Sequence, residues 1–305
     1  MLQEKVADKS MISVVIPTAN RSLLLKRMLN SILNSEFSQT YEIIIVDQSS
    51  DNLTKNMIQE YFSKINNIYY IHSNKTGAAC ARNYGWRAAR GDIIAFTDDD
   101  AWVDKNWMSA IDEHFKLDYN CDTGVLGGPI IPVFENGDSI ESLEYPVIYS
   151  YILPAYSQKR EGEYLNGALP PSVNFVCRKS ILEFYGGFCE KLGTNINSKF
   201  KIYGEDSLLA SQVKMDKKKL LYLESVKVYH PVIEYRKSKD YFNEYMKIMG
   251  RTQFAISILL SKRPIIKRVC LFLRSILEMF CFAMYLDKSK FLKAYGSFQA
   301  SFAFW

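Results

Sequence analysis

The stretch DIIAFTDDDAW, from Asp92 to Trp102, joins a short apolar run to three consecutive carboxylates, Asp98, Asp99 and Asp100. An apolar run of this kind is typical of a strand that is buried on both faces of a parallel sheet. Three like charges at the end of such a strand repel one another unless a cation lies among them. Their oxygen atoms suit Mg²⁺ or Mn²⁺, which commonly completes its coordination shell with phosphates. The alternative interpretation is a solvated acidic turn, or a cap for a helix that begins near Asp104.

Four further β-branched runs surround this stretch and predict the fold class. Amphipathic segments with helical spacing separate them, as Leu24, Met28 and Ile32 illustrate. The alternation is typical of an α/β protein with a Rossmann-like, mostly parallel sheet and flanking helices. The additional predicted strands are Ile12–Pro17, Tyr41–Asp47, Ile68–His72 and Val125–Pro132.

Polar residues follow these predicted strands at their carboxyl ends, where parallel sheets bind ligands. IPTANRS offers donors to a nucleotide, VDQSSD offers a carboxylate to a base or ribose, and NKTGAACARNYG opens a helix with cations suited to a diphosphate. Judged singly, each residue has an ordinary explanation as a helix cap or a surface ion pair. Together they predict one nucleotide site. The candidates are Pro17, Thr18, Asn20, Arg21, Asp47, Lys75, Gly77, Arg82 and Asn83, with Asp98 and Asp99.

Length and composition limit the class of protein. The chain has 305 residues, of which 48% are hydrophobic and 23% charged, as in a globular protein with a substantial core. A formal net charge of +5 is too small for a protein that coats nucleic acid, so we expect no nucleic-acid partner. The six cysteines form no CxxC pair, and the first ten residues, MLQEKVADKS, lack the apolar segment of a secretory signal. We therefore expect a cytoplasmic protein with reduced thiols.

The second half of the chain contains further candidate chemistry. Periodicity fades over Phe134–Ser172, which predicts long loops or a small hairpin that covers a substrate. A strand and a short helix are predicted over Val173–Gly187, and a packed helix over Gly204–Val213, directly behind two acids. The segment Leu220–His230 is typical of one or two strands that end at a histidine.

After Tyr235 the sequence becomes helical, basic and strongly apolar. Arg274 and Glu278 interrupt the run Val269–Leu286, so it falls short of a transmembrane span. Two interpretations fit: an amphipathic helix in the membrane interface, or a helical tail that packs on the rest of the chain or on a dimer partner. Four basic residues suited to anionic headgroups favour the first; they are Lys262, Arg263, Lys267 and Arg268.

Several of these motifs, taken in order, resemble the family 2 glycosyltransferases, which have the GT-A fold. The likeness runs from about Ile12 to His230 and rests on ISVVIPTANRS, EIIIVDQSSD, KTGAACARNYGWRAARGDIIAFTDDD, GGFCEKLG and GEDSLLASQV. It implies transfer of a sugar from a nucleotide sugar, with inversion at the anomeric carbon and with Mn²⁺ or Mg²⁺ as cofactor. We expect a GT-A catalytic domain at 1–234, with a nucleotide-binding half at about 11–132 and an acceptor-side half at about 133–234, followed by a helical, amphipathic extension at 235–305.

The same resemblance implies roles for single positions in the nucleotide pocket. It implies that Asp100 ligates the metal, that Asp98 lies near the ribose, diphosphate and metal, and that Asp47 contacts the base. Where the family commonly has an aromatic residue and a second acid, this chain has Ala19 and Gln48. Uridine is the default base, and these departures leave thymidine and guanosine open. The residues that line the pocket correspond to Pro17, Thr18 and Asn20.

The chemistry that the resemblance implies is a single displacement. An acceptor hydroxyl is a weak nucleophile, so a carboxylate has to take its proton, and the family's later Glu-Asp pair implies Asp206, next to Glu205. The departing nucleoside diphosphate gains negative charge, which a divalent ion and Arg82 or Lys75 stabilise. The alternative for Asp206 is a carboxylate that merely stabilises the start of a helix.

Three other residues have candidate roles. His230 is either a third metal ligand or a structural histidine. Asn174, on a predicted strand, is placed to face the donor sugar or the acceptor. Trp107 offers a stacking face to a sugar, unless it lies in the core.

We therefore predict a glycosyltransferase that extends a surface polysaccharide or a lipid-linked glycan. Its C-terminal helices would attach it peripherally to the cytoplasmic face of the membrane. The alternatives are a catalytically silent nucleotide-sugar-binding or scaffold protein, and a nucleotidyltransferase, although its early glycine-rich loop is missing. No GxGxxG follows the first strand and no GxxxxGK occurs, which disfavours nicotinamide dehydrogenases and P-loop enzymes.

Overall fold

The computed structural model describes residues 11–118, 122–134, 136–140, 153, 155–193, 201–284 and 287–303. In these ranges an eight-stranded sheet lies beside a three-stranded sheet. The strands are β1 (Ile12–Thr18), β2 (Tyr41–Asp47), β3 (Ile68–His72), β4 (Ile93–Phe96), β5 (Trp102–Val103), β6 (Thr123–Gly127), β7 (Ile130–Phe134), β8 (Gly162–Glu163), β9 (Phe175–Arg178), β10 (Lys219–Tyr222) and β11 (Val228–Val232).

Helices cover both faces of the large sheet and continue to the C-terminal end of the described chain. They are α1 (Ser22–Leu33), α2 (Leu53–Phe62), α3 (Ala78–Ala88), α4 (Trp107–Leu117), α5 (Lys179–Tyr185), α6 (Glu205–Met215), α7 (Lys239–Leu259), α8 (Pro264–Met284) and α9 (Lys288–Ala303). Short 3₁₀ turns occur at Ser172–Asn174 and Glu234–Lys237.

The large sheet has the strand order β3-β2-β1-β4-β9-β6-β10-β8. The strands from β3 to β4 are parallel neighbours, as are β6 and β10. Strand β9 is antiparallel to both β4 and β6, and β8 is antiparallel to β10. The predicted α/β architecture with a mostly parallel sheet is therefore confirmed.

The central strands are largely apolar because both faces of the sheet are covered. In β1, Val14 and Ile16 pack on the side of α1, where they share a core cluster with Leu25. Val15 faces the other way, into a second cluster that includes Ala81 of α3. All five side chains are fully buried. Burial on both faces removes the alternation of apolar and polar residues that a half-exposed strand would show.

The run Val125–Pro132, predicted as one strand, is divided between the two sheets. Strand β6 ends at Gly127, and β7 begins at Ile130 in the small sheet. Gly128 lies at the crossing, where a Cβ atom would come within 2.1 Å of the Val226 carbonyl oxygen. The small sheet has the order β5-β11-β7, and it places His230 of β11 next to the segment that follows β4.

The C-terminal helices pack on one another and on the rest of the chain. Helices α7 and α9 approach closely at two glycines: a Cβ atom on Gly250 would lie 1.8 Å from the Lys293 carbonyl oxygen, and one on Gly296 would lie 2.0 Å from that of Lys247. Ala255 of α7 joins a small cluster with Leu208 of α6. For α7 and α9, the interpretation that fits is therefore the helical tail that packs on the rest of the chain.

Helix α8 differs because one apolar face is open. Ile265 is 77% exposed and Leu277 is 66% exposed, and the face continues through Ile266, Val269, Leu273 and Ile276. None of the helices in the described ranges is both long and apolar enough to cross a bilayer.

Two predictions fall partly or wholly outside the described residues. The polar first ten residues, MLQEKVADKS, lie outside them, as do 135, 141–152 and 154 of the predicted loop segment Phe134–Ser172. The described part of that segment contains β8 and an isolated bridge between Ile130 and Tyr156.

Candidate active site

A cavity of about 730 Å³ lies at the carboxyl ends of β1 and β4. Its walls come from the loop after β1, the acidic segment after β4, the start of α6, β11, and one face of α7. It brings together most of the residues predicted from the sequence, namely Pro17, Thr18, Asn20, Arg21, Gly77, Arg82, Asp98, Asp99, Asp100, Glu205, Asp206 and His230.

Asp98, Asp100 and His230 form a compact group of potential metal ligands. One ligand atom of each lies within 4.8 Å of the others. His230 Nε2 is 3.3 Å from Asp100 Oδ1. His230 Nδ1 lies 2.9 Å from the Pro231 carbonyl oxygen. Because a carbonyl only accepts, Nδ1 carries a proton, and Nε2 is the nitrogen directed at the carboxylates.

This donor set fits a divalent cation such as Mn²⁺ or Mg²⁺, since it combines two carboxylates with one imidazole. Burial raises the pKa of Asp100, but the hydrogen bond and charge of His230, together with Arg21 and Arg236, lower it to about 2. Asp100 is therefore ionised at neutral pH, as a metal ligand has to be.

Asp99 lies apart from this group, although it is adjacent in sequence. Its carboxylate accepts a hydrogen bond from Thr18 Oγ1 at 2.7 Å and one from Arg21 Nη1 at 3.2 Å. Burial raises the pKa of Asp99 to about 6, against the hydrogen bond of Thr18 and the charge of Arg21. Asp99 thus holds the loop after β1 against the end of β4.

Arg82 connects two acidic segments inside the cavity wall. Its Nη1 donates to Glu205 Oε1 at 2.7 Å and its Nη2 to Asp98 Oδ1 at 2.8 Å. The arginine is 3% exposed. Burial and the charge of Asp206 raise the pKa of Glu205, while Arg82 lowers it. Two of the guanidinium donors are therefore occupied by carboxylates.

Asp206 lies in the first turn of α6 and borders the cavity. Its Oδ2 accepts from the Ser172 backbone N–H at 2.8 Å, and its Oδ1 accepts from that of Ser207 at 2.6 Å. Gly204 caps the helix with φ +93°, a conformation that favours glycine. A Cβ atom there would also come within 2.6 Å of Thr252 Cγ2 on α7. These contacts fix the carboxylate at the cavity edge.

The loop after β1 and the loop before α3 form the predicted nucleotide side of the cavity. Asn20 adopts φ 56°, its N–H donates to Ser49 Oγ at 2.7 Å, and its side-chain oxygen accepts from the Ser50 N–H at 3.2 Å. Gln48 pairs with the backbone of Gly77 through both its amide nitrogen and its amide oxygen, at 3.1 and 3.2 Å. Gln48 thus joins the two loops and lines the cavity itself.

Three residues predicted for the nucleotide pocket do not line the cavity. Asp47 is fully buried and accepts from the Ser49 N–H and from Tyr70 Oη, each at 2.9 Å, which corrects the prediction that it faces a base. Lys75 forms an ion pair with Glu190 outside the lining. Asn83 is buried and donates to the Phe188 carbonyl at 2.8 Å. Local pairing turns all three away from the cavity.

Asn174 and Trp107 also lie in the core and not in the cavity, which corrects their predicted contact with a sugar. Both are completely buried. Trp107 Nε1 donates to Asn174 Oδ1 at 3.0 Å, and Asn174 Nδ2 donates to the Val226 carbonyl at 2.7 Å. Because the polar atoms of both side chains form hydrogen bonds, the two residues can be buried without leaving an unpaired polar group.

The sequence analysis missed one whole wall of the cavity. Three tyrosines and an arginine line it, on the segment before α6, in the 3₁₀ turn before α7 and on α7 itself; they are Tyr203, Tyr241, Tyr245 and Arg236. The spacing of Tyr241 and Tyr245 was the available signal, because residues four apart share one helix face.

The sequence matches a known family over most of the sheet. The family model described as "Glycosyl transferase family 2" matches residues 13–186. TarS of Staphylococcus aureus, a poly(ribitol-phosphate) beta-N-acetylglucosaminyltransferase, is 30% identical over 108 residues, which are 33% of this chain and 19% of TarS. The GalNAc(5)-diNAcBac-PP-undecaprenol beta-1,3-glucosyltransferase of Campylobacter jejuni is 36% identical over 91 residues, or 29% of each chain. The chain thus matches less than one third of the length of either relative.

Solved structures share the fold. The structure of S. aureus TarS 1–349 in complex with UDP-GlcNAc has a TM-score of 0.60 at 20% identity, over 95% of this chain and 81% of that one. The mannosyltransferase PcManGT from Pyrobaculum calidifontis, in complex with GDP-Man and Mn²⁺, has a TM-score of 0.59 at 17% identity, over 97% and 74%. The predicted GT-A fold is confirmed. Since the family model covers more than half of the sequence, the chain belongs to glycosyl transferase family 2.

Proposed function

We propose that the protein transfers a sugar from a nucleotide sugar to an acceptor hydroxyl, with inversion and with a divalent cation. The observation that carries this proposal is one cavity that holds both the group Asp98, Asp100 and His230 and the carboxylate of Asp206. Those are the two parts that the reaction needs, a site for the charge of the leaving group and a base for the acceptor.

Asp98, Asp100 and His230 would hold the cation, Mn²⁺ or Mg²⁺. Bound there, it would neutralise the charge that develops on the departing diphosphate. The ion pair of Arg82 with Asp98 supports this arrangement by orienting one ligand. Arg21 does the same for Asp100, at 3.2 Å.

Asp206 is the proposed general base. Both of its oxygens are held by backbone N–H groups, and it borders the cavity. Glu205 is bound to Arg82, so its role is to position the start of α6 and not to accept the proton. One base and one leaving-group site suit a single displacement, which inverts the anomeric carbon.

The nucleotide side favours a nucleoside diphosphate donor, and a UDP-sugar is the proposed one. Thr18, Asn20 and Gln48 place backbone and side-chain polar atoms along this side. The TarS structure contains UDP-GlcNAc, whereas PcManGT contains GDP-Man, so both bases belong in the test.

The proposed acceptor is a growing cell-surface polysaccharide or a lipid-linked glycan. TarS is named for poly(ribitol-phosphate), and the Campylobacter relative for an undecaprenol-linked saccharide. Beside Asp206, Tyr203 and Tyr245 offer ring faces of the kind that stack on sugars.

The open apolar face of α8 is the proposed attachment to a membrane, at the cytoplasmic surface. The proposed occupant is an anionic bilayer surface, because exposed Lys262, Arg263 and Lys267 adjoin the apolar side chains. Attachment there would bring a lipid-linked acceptor to the enzyme without a membrane-spanning helix.

The decisive experiment is a panel of UDP-, GDP- and TDP-sugars incubated with the purified chain and Mn²⁺, with release of the nucleoside diphosphate as readout. We expect release with at least one donor, its loss with EDTA, and its recovery with added Mn²⁺. Binding of a donor without turnover, even with a glycan acceptor mixture, would favour the scaffold interpretation. Failure to bind any donor would contradict the proposal.

A further inference from the structure

Among the residues that the structure describes, three arginines line the cavity, and two of them are already engaged. Arg21 Nη1 lies 3.2 Å from both Asp99 and Asp100. Arg82 pairs with Glu205 and Asp98. Two carboxylates neutralise the charge of the arginine that they contact, so such an arginine attracts an anionic ligand only weakly. The sequence analysis proposed Arg82 or Lys75 as the side chain that contacts the diphosphate. Arg82 already pairs with two carboxylates, and Lys75 pairs with Glu190 outside the cavity, so neither is free for that contact.

Arg236 is the third arginine, and its guanidinium is unengaged. It lies in the 3₁₀ turn Glu234–Lys237, where its backbone N–H donates to the Ile233 carbonyl at 2.9 Å. The side chain is partly buried and lines the cavity. Among the residues that the structure describes, its guanidinium has neither a hydrogen bond nor an ion pair. The neighbouring Glu234 and Lys237 pair with each other instead.

The surroundings of Arg236 place it near the metal ligands. It lines the same cavity as Asp98, Asp100 and His230, and three tyrosines line that wall with it. An arginine offers five N–H donors in a planar fork that fits two phosphate oxygens. A partly buried guanidinium without a counterion, beside a candidate metal site, is a binding position for a phosphate-type anion.

We propose that Arg236 binds the diphosphate of the nucleotide-sugar donor and offsets the charge on the leaving nucleoside diphosphate. This inference rests on the proposed function. In the transfer, the bond from the anomeric carbon to the diphosphate oxygen breaks and its electron pair stays on that oxygen. The acceptor oxygen forms the new bond to carbon, and its proton goes to Asp206. Arg236 donates to the diphosphate before and after this step.

Like Asp206 and His230, Arg236 lies beyond the part of the chain that the family model matches. That match ends at residue 186, whereas Arg236 directly precedes α7.

The test compares UDP with uridine, since the two differ only in the diphosphate. Affinities are measured in Mn²⁺ by titration calorimetry for UDP and by saturation-transfer NMR for uridine, or for GDP and guanosine if the chain prefers that base. The variants are Arg236→Ala, Arg236→Lys and the control Lys239→Ala, which removes an exposed charge from the same segment. Arg236→Gln serves as the second neutral variant if the alanine variant does not fold.

We expect Arg236→Ala to weaken UDP binding at least tenfold and to leave uridine binding unchanged. Arg236→Lys should lose less, because it keeps the charge but not the fork, and Lys239→Ala should stay within twofold of the unaltered chain. UDP binding that is unchanged in Arg236→Ala would overturn the inference, and a transfer defect in that variant would then assign Arg236 to an acceptor phosphate. Failure of the unaltered chain to bind any nucleoside diphosphate would contradict the proposed function as well.

Discussion

Arg82 and Glu205 are 123 residues apart in sequence, yet Nη1 of one donates to Oε1 of the other at 2.7 Å. Through the same guanidinium, Glu205 is connected to Asp98 at the end of β4. The contact therefore fixes the helix that carries the proposed base relative to the strand end that carries the proposed metal ligands.

Replacing Arg82 with methionine should destabilise the fold, because it leaves two carboxylates beside an apolar side chain. We expect a loss of about 3 to 5 kcal/mol in the free energy of unfolding. Urea unfolding at pH 7 measures it. The control is Arg87→Met, which removes an exposed arginine from the same helix and should cost less than about 1 kcal/mol. Equal losses in the two variants would show that the buried pairing adds nothing.

Asp206→Asn should abolish transfer and leave nucleotide binding intact. The amide keeps the shape of the carboxylate but accepts no proton, so we expect transfer to fall by about 10² to 10⁴-fold. Affinity for UDP with Mn²⁺, measured by calorimetry, should stay within about twofold. A variant that loses UDP affinity to the same extent as activity would assign Asp206 to binding or to folding.

Asp100→Asn and His230→Ala should each weaken the binding of Mn²⁺. Electron paramagnetic resonance follows free Mn²⁺ in the absence of any nucleotide, so the readout does not depend on activity. The control is Asp92→Asn, an exposed carboxylate at the opposite end of β4, which should bind Mn²⁺ like the unaltered chain. Retention of full Mn²⁺ affinity in both site variants would contradict the ligand assignment.

Glu42 should make stability depend on pH. It is 2% exposed. Burial raises the pKa of its carboxyl, but the hydrogen bonds of Ser13 and Arg90 lower it below the ordinary value. Because the folded pKa is the lower one, the stabilisation is present above about pH 4.3 and disappears as the pH falls through the folded pKa.

Glu42→Gln therefore should reduce the free energy of unfolding by about 1.5 to 3 kcal/mol at pH 7. The difference from the unaltered chain should shrink in urea titrations as the pH falls below about 4.3 and through the folded pKa of Glu42, below which both side chains are neutral. A difference that stays constant between the two pH values would show that the charge of Glu42 has no part in the stability.

Helix α8 should bind vesicles that contain anionic phosphatidylglycerol and not vesicles of phosphatidylcholine alone. The double change Leu273→Gln and Leu277→Gln removes two largely exposed apolar side chains, and we expect it to reduce co-sedimentation by about tenfold or more. Leu23→Gln, on an exposed site of α1, is the control. Sedimentation of the α8 variant to the same extent as the control would contradict the membrane proposal.

Local sequence patterns predicted the strands and the acidic segment, because both depend on short-range properties. The three acids after β4 are contiguous in sequence, as is the Glu-Asp pair at the start of α6, and the cavity holds both groups. The division of Val125–Pro132 was not predictable, because it depends on the close approach of Gly128 to the Val226 backbone from a distant segment.

Side-chain burial explains the remaining differences. Asn174 and Trp107 are polar or amphipathic residues that suit a sugar site, but their mutual hydrogen bond makes the core equally suitable for them. Conversely, Tyr241 and Arg236 belong to a segment whose periodicity indicates only a helix and a turn. Their place in the cavity depends on how α7 crosses the rest of the chain, which a pattern within α7 does not contain.

The contact between Gly204 and Thr252 limits how this enzyme can be shortened. Ala255, one turn after Thr252, shares an apolar cluster with Leu192 and with Leu208 of α6, the helix that carries Asp206. A fragment that contains only the matched family region and its sheet would expose this apolar cluster to water. It would also lack Arg236, Tyr241 and Tyr245, which line the cavity. Truncated forms of the protein made for crystallography or screening therefore need to include α7 if they are to stay soluble and keep the whole cavity.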